Sequence, residues 1–339
     1  MLRPAVRPHH YRLGAAGPSA DAIARLGWIL AAVGAVIFAM VVGVLAASIW
    51  RNRHLHGAGI QPDPAARGEA LSEHRADRSI LTLGAVVPAV VAALALAASV
   101  ITLGRLPTSA GAQGLVIDVV GYQWWWSATY SRAGVTVANE IHIPVGIPVE
   151  FRLTSADVIH SFWVPALGGK TDAFPNDLNT LVLEADRPGV YRGACAEFCG
   201  LQHARMRITV VAEPPEQFER WLGRQGQPAP SEGSPGSSPG KALFLSSGCS
   251  SCHVVRGHTP PQSNATTAGA ADAEPRVGPD LTHLASRDTL AAGTLSATPM
   301  NLARWISDPD LLKNGAKMPA AAFNDADLQA IVRYLQSLE

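Results

Sequence analysis

Two uncharged apolar runs dominate the first third of the chain. The run at 26–50 is 25 residues long, and 80–104 matches it. Each exceeds the ~20 residues needed to cross a hydrocarbon core of about 30 Å. Arg25 and Arg51 bracket the first run, Arg78 and Arg105 the second, and Trp28 and Trp50 stand where interfacial aromatics belong. Neither run has the polar face a surface helix of a soluble protein would carry. The pattern predicts a tail at 1–25 and a two-helix transmembrane hairpin at 26–104, with spans 26–50 and 80–104 and an inner loop at 51–79. The first run is too long for the apolar part of a cleaved signal, and no clear small-residue cleavage site follows it, so it reads as an anchor.

Beyond residue 114 the period shortens. Segments rich in β-branched residues recur at 115–121, 135–143, 149–153, 158–164, 180–184, 190–194 and 205–212. Gly, Pro, Asp and Asn separate them. This spacing predicts an all-β sandwich or barrel over 105–222, closed by a short helix at 214–222. Residues 223–240 are mostly Gly, Pro, Ser and Gln and read as a flexible linker with an rms reach of about 23 Å. The last hundred residues, 241–339, change character again. Helices are predicted at 241–247, at 299–307, and after Asn324, a good N-cap. Leu328, Ile331, Val332 and Leu335 then repeat at i, i+3, i+4 and i+7. Residues 256–276 read as a low-complexity surface insert.

Net charge is zero, 27 basic against 27 acidic side chains, so no basic field points to nucleic acid. The four cysteines matter more, because they fall in two pairs. Cys195 and Cys199 sit in a twelve-residue run with His203 and Met206. Two thiolates, an imidazole and a thioether are the donors that soft copper prefers, and two thiolates four residues apart can bridge two copper ions. A second imidazole must come from elsewhere on the β-scaffold, and His160 is the best candidate. A disulfide, a zinc site and a copper-delivery site remain alternatives, with Met206 arguing against zinc. Cys249 and Cys252 belong to Cys249-Ser-Ser-Cys-His253, the attachment signature of a c-type haem. His253 is then the proximal iron ligand, and Met318, just before the last helix, is the favoured sixth ligand, since a Met/His pair raises the potential. Met300 opens a helix and is expected to pack. His142, His258 and His283 are not read as ligands.

These motifs, with the aromatic run Tyr122-Gln-Trp-Trp-Trp126, Asp157-Val-Ile-His160 and Lys170-Thr-Asp-Ala-Phe-Pro175, resemble subunit II of a haem-copper cytochrome c oxidase. The specific likeness is to the caa-type form with a fused cytochrome c. The resemblance implies a multi-domain membrane protein: the transmembrane hairpin, an all-β cupredoxin-type Greek-key barrel with a Cu-A centre, and an all-α class I cytochrome c domain. It implies a dinuclear Cu-A bridged by Cys195 and Cys199. His160 and His203 would be terminal ligands, with Met206 and the Glu197 carbonyl as weaker ones. The Glu197 carboxylate would face a magnesium shared with subunit I, and Trp124 would be where electrons enter.

The implied function is electron input to a terminal oxidase. Electrons would pass from haem c to Cu-A and on to subunit I, where oxygen is reduced to water with proton translocation. Subunit I, subunit III and an upstream cytochrome c or cytochrome bc complex are the implied partners. Haem attachment on the outer face implies a bacterial plasma membrane location, with both metal domains periplasmic. A Cu-A nitric oxide reductase subunit and a membrane-tethered copper-delivery protein are the alternatives. One departure stands out: Leu81 lies seven residues before Pro88, where the family often has a Glu at a proton path.

Overall fold

A computed structural model describes residues 14–57, 78, 81–111, 114–230, 237–259 and 277–339. The tail before residue 14, most of the 51–79 loop, the centre of the linker and most of the 256–276 insert lie outside the described residues.

The first apolar run forms α1 (Pro18–Gly57), which extends beyond 26–50 at both ends. Pro18 opens it and Asp21 stands in its first turn, where a carboxylate meets the positive end of the helix dipole. The second run forms a π-helical turn, Thr82–Val86, and α2 (Val87–Leu103). Residues 18–54 of α1, and the π-helical turn together with α2 (Thr82–Leu103), are each long and apolar enough to cross a membrane. The Ser99 and Thr102 hydroxyls donate to the Ala95 and Ala98 carbonyls at 2.8 Å, so these polar groups need no water. Residues 21–106 form one compact unit, separate from the rest of the described chain.

The β-domain has ten strands: β1 (Leu115–Tyr122), β2 (Trp125–Tyr130), β3 (Val135–Ala138), β4 (Glu140–Pro144), β5 (Val149–Ser155), β6 (His160–Trp163), β7 (Thr171–Ala173), β8 (Asn179–Leu183), β9 (Gly189–Cys195) and β10 (Arg207–Glu213). They form two five-stranded sheets, ordered β3-β2-β1-β5-β8 and β4-β10-β9-β6-β7. The chain passes repeatedly between sheets, and the alternating apolar positions of both meet in one core around Ile117, Trp126, Phe151 and Phe162. The predicted strand 135–143 is two strands, one in each sheet. Asn139 turns between them with φ 62°, and its side chain accepts from the Trp126 backbone N–H at 2.8 Å. The prediction missed β2, which begins inside the aromatic run, and the three-residue β7. Helix α3 (Pro215–Gln225) runs three residues past its predicted end and buries Phe218 and Trp221. Ala16, ahead of α1, is buried in this core: its N–H donates to the Ala166 carbonyl (2.7 Å) and its carbonyl accepts from Asp186 N–H (2.8 Å).

The C-terminal domain is helical apart from a short pairing of β11 (Thr289–Leu290) with β12 (Leu295–Ser296). Its helices are α4 (Ser237–Ser246), α5 (Pro299–Ser307), α6 (Pro309–Leu312) and α7 (Asp325–Gln336). Asn324 caps α7 as expected, accepting from Asp327 N–H at 2.9 Å. Helices α4 and α7 cross closely at Gly240, where a Cβ would lie 2.1 Å from the Ala330 carbonyl oxygen. Three expectations are corrected. The linker is packed as far as residue 230: Ala229 is buried in this domain's core and donates to the Arg256 carbonyl at 2.8 Å. His258, read as part of a surface insert, holds Tyr334 Oη at 2.9 Å and the Pro230 carbonyl at 2.8 Å. Met300 is 68% exposed and packs against nothing in the core.

Candidate metal centre and haem cavity

The loop between β9 and β10 carries most of the first site. Strand β9 ends at Cys195, the chain turns through Gly200 (φ +110°), and a single 3-10 turn at His203–Arg205 returns it to β10. The Cys195 N–H donates to the Met206 carbonyl at 2.9 Å, which closes the loop and brings Met206 beneath it. His160 arrives by sheet pairing. Strands β6 and β9 are antiparallel with Phe162 opposite Cys195, and Ala196 N–H donates to the Ser161 carbonyl at 2.9 Å. Residues 35 apart in sequence thereby share one corner. Gly121 on β1 leaves the space the imidazole fills, since a Cβ there would lie 2.7 Å from His160 Cδ2.

Both thiols are free and buried, with Cys195 Sγ and Cys199 Sγ 3.8 Å apart. That is far beyond a disulfide of about 2.05 Å and less than two thiolate–metal bonds of about 2.3 Å. His160 Nδ1 lies 3.8 Å from Cys195 Sγ, and His203 Nδ1 lies 3.8 Å from Cys199 Sγ. The two imidazoles thus flank the sulfur pair, one on each thiol. Met206 Sδ is 3.8 Å from Cys199 Sγ, and the Glu197 carbonyl oxygen is 3.2 Å from Cys195 Sγ. His160, Cys195 and Cys199 offer donor atoms all within 4.8 Å of one another. Two sulfurs with two nitrogens, a thioether and a carbonyl fit a pair of soft copper ions.

Electrostatics favour cation binding. The neighbouring Cys199 thiol holds the Cys195 thiol down to about 3, with burial opposing and His160 assisting. Cys199 is pushed well up by that neighbour and by burial. Two thiolates this close repel each other, and a cation between them offsets that repulsion. Burial lowers the His160 pKa, but hydrogen bonds to Asp157 and Cys195 outweigh it and the net shift is upward. Asp157 Oδ1 takes His160 Nε2 at 2.9 Å. Burial works against the Asp157 carboxylate, yet His160 and the backbone N–H groups of Gln123 and Val158 bring it down to about 2.

The second site is a cavity of about 880 Å³ lined mostly by the C-terminal domain, with residues 122–125 of the β-domain on one wall. Cys249, Cys252, His253 and Met318 all line it; Met300 does not. His253 Nδ1 donates to the Pro279 carbonyl at 2.8 Å, which fixes the tautomer and places the ring's lone pair on Nε2. Gly278 is required beneath the ring: a Cβ would lie 2.7 Å from His253 Cε1. An apolar cavity of that size, lined by a thiol pair and an oriented imidazole, fits a covalently held haem. His283 lies outside the cavity, its ring nitrogens 2.7 Å and 3.0 Å from the Glu339 and Gln227 carbonyl oxygens.

Three contributors were not read from the sequence. Arg287 lines the cavity, and its guanidinium donates to the Asp280 carbonyl. Asp157 was noted only as part of a motif. Lys313 carried no local signal at all, yet it is buried, its Nζ donating to the Trp124 carbonyl at 2.8 Å. Trp124 itself stands between the two sites. Its indole N–H donates to the Cys199 carbonyl at 2.8 Å, and its residue lines the cavity together with Tyr122 and Trp125.

Comparison with known proteins agrees with this arrangement. The family described as "Cytochrome C oxidase subunit II, periplasmic domain" matches residues 132–213, and the family "Cytochrome c" matches 237–339. A cytochrome c oxidase subunit 2 from Alkalihalophilus pseudofirmus is 37% identical over 230 residues, 68% of this chain and 63% of that protein. One from Bacillus sp. (strain PS3) is 32% identical over 66% of this chain and 62% of that protein. This chain therefore spans less than two thirds of the length of these curated relatives. Among solved structures, the periplasmic domain of subunit II of the Bradyrhizobium japonicum cytochrome oxidase is 31% identical. It covers 36% of this chain and 96% of that one, with a TM-score of 0.33, too low to bear on the fold.

Proposed function

We propose that this chain, similar at 132–213 to the periplasmic domain of cytochrome c oxidase subunit II and at 237–339 to cytochrome c, is the electron-input subunit of a terminal respiratory oxidase. Electrons would pass from the C-terminal domain to the Cys195–Met206 loop and on to subunit I, where oxygen is reduced to water with proton translocation. A haem c and a dinuclear Cu-A would supply the one-electron chemistry when bound. Cys195, Cys199, His160 and His203 would hold the coppers, with Met206 and the Glu197 carbonyl as weaker donors. Cys249 and Cys252 would anchor the haem, and His253 and Met318 would hold its iron.

The observation that carries this reading is Trp124: its residue lines the haem cavity, and its indole N–H reaches the carbonyl of Cys199. One residue thus touches both sites. Trp125 stacks on Tyr122 (centroids 4.6 Å, 8° between planes) and lines the same cavity wall. Those stacked rings help exclude water from the gap. The Glu197 carboxylate, with the exposed ring of Phe198 beside it, would face subunit I and a shared magnesium. Subunit III and an upstream cytochrome c or bc complex complete the expected partners.

The contacts of Ala16 with Ala166 and Asp186 support two membrane crossings. Chain ahead of α1 and chain after α2 cannot meet in one core unless they lie on the same side of the bilayer. The tail then shares the side of both metal domains, and the c-type haem motif Cys249–His253 favours the outer face of the plasma membrane for that side.

Purification with metal and haem analysis tests the reading. Two coppers per haem, with a seven-line hyperfine pattern in electron spin resonance, and copper reduction following haem reduction are expected. One loosely held copper with four lines would instead indicate a delivery protein, and turnover with nitric oxide but not oxygen would reassign the partner.

A further inference from the structure

The loop that leads to Met318 is gripped by the loop that carries the copper donors. Gln202 Nε2 donates to the Asn314 carbonyl at 2.6 Å, and Arg205 donates to the Leu312 carbonyl at 2.8 Å. Gly315 lies under Leu201 and Trp124: a Cβ there would be 3.1 Å from Leu201 Cδ1 and 3.6 Å from Trp124 Cη2, and its φ is +79°. Asp310 shapes the loop from within, accepting from Gly315 N–H at 2.6 Å and from Asn314 Nδ2 at 3.2 Å.

Lys313 sits at the centre of this grip and points the other way, from the haem domain into the β-domain. A lysine at a surface junction ordinarily lays its stem along the protein and keeps its ammonium in water. Lys313 is 4% exposed, and its Nζ donates to the Trp124 carbonyl at 2.8 Å and the Ala291 carbonyl at 3.2 Å. Trp124 precedes β2, so its carbonyl is not committed to the strand ladder that begins at Trp125. Burying an ammonium is costly unless hydrogen bonds replace its water. Here one replacement comes from each domain, so separating the domains would strip the ammonium of its β-domain acceptor.

We propose that Lys313 is a positioning residue for intrachain electron transfer: it pins the 312–315 loop to the backbone of Trp124 and so holds the haem cavity against that tryptophan. This rests on the reading of the chain as a haem-to-copper conduit.

The test uses the full-length holoprotein and Lys313→Met, which keeps the stem and removes the ammonium. Two quantities are measured: the rate of copper reduction after rapid haem reduction, and amide hydrogen exchange at 312–315 and 202–205. Lys313→Met should retain haem, copper and both optical spectra. It should transfer electrons about tenfold more slowly, the equivalent of one charged hydrogen bond lost from the docked state, and exchange faster in both loops. Wild-type transfer with wild-type exchange would overturn the proposal. Should Lys313→Met lose its haem, Gln202→Leu releases the same loop from the β-domain side, and an unchanged transfer rate in that variant overturns it equally. If the wild-type chain passes no electron from haem to copper, the function reading fails, while exchange at 312–315 in Lys313→Met still decides whether the lysine pins the domains.

Discussion

Asp157 holds His160 with one carboxylate oxygen (Oδ1 to Nε2, 2.9 Å) and meets Lys317, the neighbour of Met318, with the other (Oδ2 to Nζ, 3.5 Å). With Nε2 engaged, Nδ1 is the nitrogen turned to Cys195. A carboxylate behind a ligating imidazole fixes its tautomer and raises its basicity. Asp157→Ala should therefore lower copper affinity by about 10–100-fold while the β-domain stays folded. Competition with a chelator measures this, and unchanged affinity would show that the carboxylate does not act through His160.

Gly121→Ala tests the space that His160 needs. The new methyl would fall 2.7 Å from His160 Cδ2 and 3.2 Å from Trp126, whose ring is fully buried. Overpacking of this kind costs about 1–3 kcal/mol, and the imidazole is the group that must yield. Copper content should drop below two per chain and Tm should fall. A variant with full copper and unchanged Tm would mean the β1 backbone absorbs the methyl.

Met206 is completely buried, with Sδ 3.8 Å from Cys199 Sγ. Leucine has nearly the same volume, so Met206→Leu should cost less than about 1.5 kcal/mol. It should keep two coppers and shift the copper potential. Loss of both metals would show that the thioether is a principal ligand.

Met318 faces the haem cavity, and His253 is already oriented by Pro279. Met318→Ala should retain the covalent haem, because Cys249 and Cys252 are untouched, and its reduction potential should fall, because a Met/His pair raises it. Redox titration of the full chain checks this. An unchanged potential would move the sixth ligand elsewhere.

His142 supplies a pH dependence away from both metal sites. It lies 3.1 Å from Glu213 and 3.7 Å from Glu140 and stacks on Trp221, with centroids 4.0 Å apart. Burial lowers its pKa, but the two carboxylates more than compensate and the net shift is upward. A raised folded-state pKa stabilises fully below the ordinary histidine value near 6.5, and that stability is lost as pH rises through the folded value. Tm should decline across this window in the wild type. In His142→Gln it should start lower and lack that decline. A wild-type Tm that rises over the same range would contradict the assignment.

The two apolar helices, the Cys195–Met206 run, the Cys249–His253 motif and the Asn324 cap are all legible in the amino-acid sequence, because each is written in neighbouring residues. A span needs only consecutive apolar side chains. Five of the six candidate copper donors share one loop, and a cap acts within one turn. His160 is the best candidate for the second imidazole from the sequence, but only the pairing of β6 with β9 brings it to Cys195. Tertiary structure alone decided that Asn139 breaks one predicted strand into two, that residues up to 230 pack instead of trailing as linker, and that Ala16 returns to the β-domain core. It also brought Lys313 to Trp124, 189 residues away in sequence. Such contacts leave no period or spacing in the chain. They arise when surfaces folded from distant segments exclude water together, and a buried ammonium then takes the nearest uncommitted carbonyl.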